Sequence, residues 1–204
     1  YSLYLAHIND THSHFEPTPL NITLPISDPN NGPDNSLQSP SVMIPCGGYA
    51  MIASALKHQR KKAKEQKIPS LFLHAGDSFQ GSLYFSCFKG EANATLLNTL
   101  MPDAMTIGNH EFDLGNTPLS KFIANTQFPI LAGNMDLQHE NVNKPYPLSV
   151  HQHLLNFDNE LKIARYLLKP LGDKQLAIVG ITLDMMDKIG CPDSDCHFLN
   201  AIEV

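Results

Sequence analysis

Ile107-Gly108-Asn109-His110-Glu111-Phe112-Asp113 (IGNHEFD) is the stretch on which the reading of this chain turns. It continues the apolar run Ala104-Met105-Thr106-Ile107, which reads as a buried strand stopped by Gly108. A turn there needs Gly or Asn for its backbone, but no imidazole and no second acid. An amide, a His and two carboxylates directly after a strand end concentrate metal-ligating and proton-transferring groups.

Two earlier strands end in similar punctuation. Residues 3–8 lead into Asn9-Asp10-Thr11-His12, and residues 70–75 into Gly76-Asp77. In parallel α/β sheets, ligands sit outside the carboxyl ends of the strands, so the three loops are expected to meet on one edge. Asp10 and His12 are one residue apart, and in an extended segment they face the same way. Asp77 offers two oxygens and can bridge two ions, while Asn109 adds a neutral oxygen. Asp, His and Asn together suit zinc or manganese. Two such ions, roughly 3.5–4 Å apart, clamp the oxygens of a phosphoryl displacement. Singly, each motif has a plainer reading as a cap, a turn or a helix start; their shared placement after three strands raises the joint one.

Around these loops the chain reads as an ordinary soluble domain. Its 204 residues are 42% hydrophobic and 17% charged, enough to bury a real core. A formal net charge of −6 gives no sign of a nucleic-acid partner. No apolar run approaches the ~20 residues of a membrane span. Residues 17–45 hold Pro17, Pro19, Pro25, Pro29, Pro33, Pro40 and Pro45 and read as a long loop insertion outside the core. A helix is expected from Gly47-Gly48 to about Lys67, its basic second half a solvated face. Further helices are expected at 90–100 and 118–125, a strand at 128–132, and a hairpin of 165–171 with 175–182 around Gly172-Asp173-Lys174. Alternating strands and helices argue for an α/β sheet with substantial parallel pairing.

The remaining polar residues carry weaker signals. Cys191 and Cys196 could close a short disulfide loop or stay as free thiols; Cys46 and Cys87 form no CxxC pair with them. His151 and His153 read as a surface pair, His74 as a core group, and His14 as a neighbour of the Asp10–His12 loop. Glu111 reads as a surface or helix-start residue. Asn21-Ile-Thr and Asn93-Ala-Thr match the glycosylation acceptor pattern.

Residues 9–14 (NDTHSH), 76–81 (GDSFQG) and 108–113 (GNHEFD) resemble the signature blocks of the calcineurin-like metallophosphoesterases. The 5'-nucleotidase and UDP-sugar hydrolase group is the nearest branch, and residues 88–92, 128–134 and 177–182 look like it as well. The resemblance runs from about residue 3 to 183, with 17–45 outside it.

It implies a layered α/β/β/α sandwich, incomplete at its C-terminal side, and two divalent ions, zinc or manganese. Asp10 and His12 would hold the first ion, Asp77 would bridge both, and Asn109 would bind the second. Asn109 and His110 would lie at the substrate phosphate. His110 and Asp113 resemble the family's catalytic pair: the His stabilises the transition state and leaving group, and the Asp orients it. Their spacing fits independently, since residues three apart share one side of a helical turn.

The family's downstream ligands, a His in one loop and then a Gly-His-x-His or Gly-His-x-Gln block, have no counterpart among His139, His151, His153 and His197. Its C-terminal nucleotide-binding domain is also absent. Residues 1–204 therefore look like the N-terminal part of a larger extracytoplasmic enzyme whose leader has been removed. Its substrate would be a small phosphate ester, in the first place a 5'-nucleotide. The alternatives are a 2',3'-cyclic phosphodiester, a UDP-sugar, or an inactive fragment serving as a structural or interaction module. Alone, the chain is expected to be weakly active or inactive.

Overall fold

Short apolar runs separated by amphipathic helices assemble here into one mainly parallel sheet. The computed structural model describes residues 2–23 and 41–204. In chain order come β1 (Tyr4–Ile8), β2 (Thr18–Thr23), β3 (Ser41–Cys46), α1 (Tyr49–Glu65), β4 (Ser70–His74), α2 (Leu83–Phe88), α3 (Glu91–Leu100) and β5 (Ala104–Thr106). A 3-10 turn (His110–Phe112), α4 (Asn116–Asn125), β6 (Ile130–Ala132), β7 (Met135–Asp136), β8 (Leu154–Asp158) and β9 (Ile163–Ala164) follow. The described chain closes with β10 (Leu167–Leu171), β11 (Lys174–Ile178), α5 (Met186–Ile189) and β12 (His197–Phe198).

The main sheet runs β1-β4-β5-β6-β8-β9. Its strands pair in parallel up to β8, and only β9 is antiparallel. Parallel neighbours need a crossover, which α1, the α2–α3 pair and α4 supply. α1 lies against β1, β4 and α3, and α3 against α4. Between helices and sheet sits the core, with Phe72 from β4, Leu97 from α3, Met105 from β5, Phe122 from α4 and Ile130 from β6. Phe79, in the loop after β4, belongs to it too. Its ring meets Phe85 at 5.1 Å and stands nearly perpendicular to Phe122 at 5.2 Å. That loop is therefore anchored by the core although it carries polar chemistry. No described helix is long and apolar enough to cross a membrane.

Several expectations change. The flanks of the proline-rich stretch are not loop: β2 and β3 form an antiparallel ribbon from Thr18↔Cys46 to Thr23↔Ser41. Pro19 faces Pro45 there, which a ribbon apart from the main sheet tolerates because proline can occupy positions with no ladder bond to donate. The ribbon is largely exposed, so its place outside the core holds. Residues 24–40 of that expectation lie outside the described residues. The late hairpin forms with a two-residue turn, Gly172-Asp173, one residue shorter than expected.

His151 and His153 are half-buried rather than a surface pair. His153 Nε2 donates to the Ile123 carbonyl (2.8 Å), and His151 Nε2 lies 2.7 Å from Ser120 Oγ. The Ile123 carbonyl, near the C-terminal end of α4, also accepts from Thr126 N (3.0 Å) and Thr126 Oγ1 (2.8 Å).

The short disulfide loop does not form: all four cysteines are free. Cys196 is 6% exposed within the core cluster, and burial pushes its thiol up to about 12. Cys191 is exposed, with its N–H on the Phe112 carbonyl. The segment between them is held by Lys144, which reaches Asp193 (2.8 Å), Asp195 (2.7 Å) and the buried Glu140 (3.2 Å).

Truncating Phe122 removes a filled core position and the perpendicular contact on Phe79. Phe122→Ala is expected to destabilise the fold by about 3–5 kcal/mol, read from the midpoint of urea unfolding.

Candidate metal centre

The loops after β1, β4 and β5 meet because their backbones pair beyond the strands. Asp10 N donates to Gly76 O (3.0 Å), His12 N to Asp77 O (3.1 Å) and Ser13 N to Ser78 O (2.8 Å). The third loop joins through Asp77, whose Oδ1 accepts from His110 N at 3.0 Å. Gly108 makes this approach possible, since a Cβ there would stand 2.1 Å from Asp77 Oδ1.

Asp10 (φ 51), His12 (φ 44), Asp77 (φ 56) and Gln80 (φ 70) all take left-handed backbone. Such conformations are strained for non-glycine residues and gather at functional sites. Asp10 and His12 are therefore not in an extended segment, as their spacing suggested. A turn brings them together instead, with Asp10 Oδ1 3.7 Å from His12 Nε2.

The ligand atoms of His12, Asp77 and His110 all lie within 4.8 Å of one another. His12 Nδ1 sits 3.1 Å from the Phe79 carbonyl, which can only accept. Nδ1–H therefore donates to it, which leaves Nε2 as the nitrogen turned toward Asp10 and available to a metal. Asp77 and Asn109 line one groove together with Thr182 and Asp184. Imidazole nitrogens with carboxylate and amide oxygens fit a divalent first-row ion.

The pair expected at 110 and 113 forms. His110 Nδ1 lies 2.8 Å from Asp113 Oδ2, and the ring meets His12 edge-on at 5.0 Å between centroids. Burial works against the imidazolium, but the Asp113 carboxylate, followed by Asp77 and Glu111, outweighs it and raises His110 above its ordinary value.

Two residues matter more than the sequence suggested. Glu111 is no surface group: it is fully buried. Its Oε1 accepts from Ser78 N (2.7 Å), Ser78 Oγ (3.1 Å) and Phe79 N (3.1 Å), and its Oε2 from Asp77 N (2.9 Å) and Gly108 N (2.8 Å). Burial raises its carboxyl against the pull of these N–H groups. Four backbone N–H groups, which can only donate, surround its two oxygens, and that is the setting of a carboxylate. The available signal was indirect: a Gly- and Ser-rich loop at a sheet edge has N–H groups that need an acceptor.

His74 is the second. It accepts from Gly76 N at Nδ1 (3.1 Å), so Nε2 carries the proton toward Thr11 Oγ1 (3.3 Å), which in turn lies 3.1 Å from the Tyr49 hydroxyl. This buried relay braces the Asp10–His12 loop from behind. His14, expected to line the site, is exposed. Ser13 turns inward in its place, with Asn93 donating to Ser13 Oγ (3.0 Å) and Ser78 O (2.6 Å). Asn93 is fully buried, so its acceptor tripeptide cannot carry a glycan on the folded chain.

Glu111→Gln keeps the shape but aims an NH2 group into a cage of donors. It is expected to destabilise by roughly 3 kcal/mol in urea unfolding. His74 gives a pH effect of defined sign. Burial lowers its pKa from 6.5 to about 4, against the weaker pull of Asp10. The unfolded chain therefore takes up this proton first. Stability is whole above pH 6.5 and falls as pH drops from there toward 4, by roughly 3 kcal/mol in all. His74→Gln should flatten that fall in unfolding curves measured across the window.

The sequence profile of the calcineurin-like phosphoesterase family matches residues 3–193. A probable 5'-nucleotidase of Treponema pallidum is 36% identical over 135 residues, covering 66% of this chain and 20% of that protein. Among solved structures, the Haemophilus influenzae NAD nucleotidase superposes with a TM-score of 0.74 at 28% identity, over 97% of this chain and 29% of the other. The 5'-nucleotidase precursor of Thermus thermophilus gives 0.70 at 30% identity, over 98% and 32%. The chain thus spans no more than about a third of these relatives. Its central, mainly parallel sheet is that of their N-terminal domains. With that sheet, and with the expected loops gathered at its edge, the chain belongs to the calcineurin-like phosphoesterase family.

Proposed function

We propose that this chain supplies the catalytic loops of a dinuclear-metal-dependent phosphate-ester hydrolase, with 5'-nucleotides as substrates. The observation that carries the reading is that His12, Asp77 and His110 come within 4.8 Å of one another, two as metal ligands and the third as the proton donor held by Asp113. Likeness to a probable 5'-nucleotidase and a NAD nucleotidase supports the substrate class. In this reading Asp10 and His12 would hold one ion, Asn109 the other, and Asp77 would be shared by both. Zinc and manganese both suit these donors. The ions would supply positive charge to the phosphoryl oxygens and acidify the attacking water.

The chain's own residues do the rest. Asn109 and His110 face the phosphate. Water adds to phosphorus and releases a proton to solvent as the ester P–O bond breaks, and the bonding pair leaves on the alcohol oxygen. His110, protonated on both nitrogens, gives its Nε2 proton to that oxygen while Asp113 holds Nδ1–H. The Asp113 carboxylate, 2.8 Å from Nδ1, favours the protonated form this step needs.

We place recognition of the nucleoside, and the second ion's remaining ligands, in residues beyond this chain, and the parent protein outside the cytoplasm. Likeness over only 29% and 32% of the solved relatives supports the division, and the description of one of them as a precursor accords with the location. The test is an assay of AMP and p-nitrophenyl phosphate with added Mn²⁺ or Zn²⁺, on this chain and on its longest parent form. The parent should hydrolyse AMP, and this chain should be at least about 100-fold slower. His110→Ala in the parent should lower kcat on AMP by roughly 10²- to 10⁴-fold. Equal turnover by the two forms would overturn the division, and no turnover by either would overturn the function.

A further inference from the structure

Asp113 Oδ2 receives two donors. One is His110 Nδ1 at 2.8 Å; the other is Gln80 Nε2, from the loop after β4. A carboxylate can only accept, so the Gln80 amide must present its NH2 group to it.

The backbone around Gln80 is constrained on both sides. Gln80 itself is left-handed at φ 70, and Gly81 follows at φ 84. A Cβ on Gly81 would stand 2.4 Å from the His12 carbonyl oxygen and 2.7 Å from His12 Cβ. On the other side, the Phe79 carbonyl lies 3.1 Å from His12 Nδ1, and Phe79 N is bound by Glu111. The Phe79-Gln80-Gly81 segment thus touches His12 with its backbone and Asp113 with its one free polar side chain.

We propose that Gln80 is a positioning residue for the His110–Asp113 pair, acting through Asp113. The inference rests on the function proposed above for its catalytic consequence. Without a second donor, the Asp113 carboxylate can rotate about its side-chain bonds and swing away from Nδ1. The amide pins the oxygen that holds Nδ1–H, and so fixes the plane of the imidazole and the aim of Nε2. Being neutral, it does this without adding a charge that would compete for the proton. The role predicts a selective defect. An alkoxide leaving group, such as a nucleoside 5'-oxygen, needs the Nε2 proton as the P–O bond breaks; a nitrophenolate leaves without it.

The experiment uses the longest metal-loaded form of the protein. It compares Gln80→Ala with Gln80→Met, which keeps length and bulk but donates no hydrogen bond. Both variants are expected to lose roughly tenfold in kcat on AMP, part of the ~10²–10⁴ a general acid contributes. KM and metal content should stay unchanged, and p-nitrophenyl phosphate turnover should remain within about twofold. The downfield proton resonance of His110 Nδ1–H should broaden or vanish in both.

Equal losses on the two esters, together with lost metal, would mean that Gln80 merely shapes the loop and would overturn the proposal. So would an unchanged AMP rate with an intact Nδ1–H resonance, or full activity in Gln80→Met. If the unsubstituted protein hydrolysed neither ester, the function would fall, and the Nδ1–H resonance alone would decide whether Gln80 pins the pair.

Discussion

The carboxylate of Glu111 is the constraint on which the site depends. Loops at the end of a parallel sheet run out of ladder partners, and their N–H groups must find acceptors or stay hydrated. Here one buried side chain takes the N–H groups of Gly108, Asp77, Ser78 and Phe79. Two loops from different strands are thereby closed over a single anion, with no water needed between them. The side chains beside it, Asp77 and His110, inherit their positions from that closure. Removing the anion would leave several donors unpaired at once, each such group costing about 1–3 kcal/mol.

The same loops hold strain that the core offsets. Five residues of the site loops, Asp10, His12, Ser13, Asp77 and Gln80, sit in left-handed backbone, and none of them is glycine. They are held by Phe79 in its aromatic pocket, by the backbone bonds between the first two loops, and by the His74–Thr11–Tyr49 relay. The site loops are thereby held from several sides by the protein itself. That suits groups whose value lies in fixed distances.

How much could be read beforehand follows from what each signal measures. The strands ending at Ile8, His74 and Thr106 were legible because an apolar run stopped by Gly or Asn is a local pattern. So was the His110–Asp113 contact, since residues three apart meet on any helical turn. The turn at Asp10–His12 was misread because left-handed backbone at Asp and His leaves no mark in composition. Glu111 was misjudged because its partners come mostly from residues 77–79, far away in sequence. β8 was missed because Asn156 and Asp158 break its apolar run, although it pairs with β6. The spacing of Cys191 and Cys196 left a disulfide and free thiols both open, and the fold puts one inside and one outside.

The β2–β3 ribbon has a bearing on the loop that carries His12. Its register closes at Thr23↔Ser41, so the ends of the intervening segment are already brought together before that segment does anything. At the other end, Tyr49 N donates to the Phe15 carbonyl, which ties the base of the ribbon to the loop that carries His12. The register of the ribbon and the bond at its base are both set by described residues on either side of that segment. The ribbon thus stands as a closed clasp between whatever joins Thr23 to Ser41 and the geometry around His12.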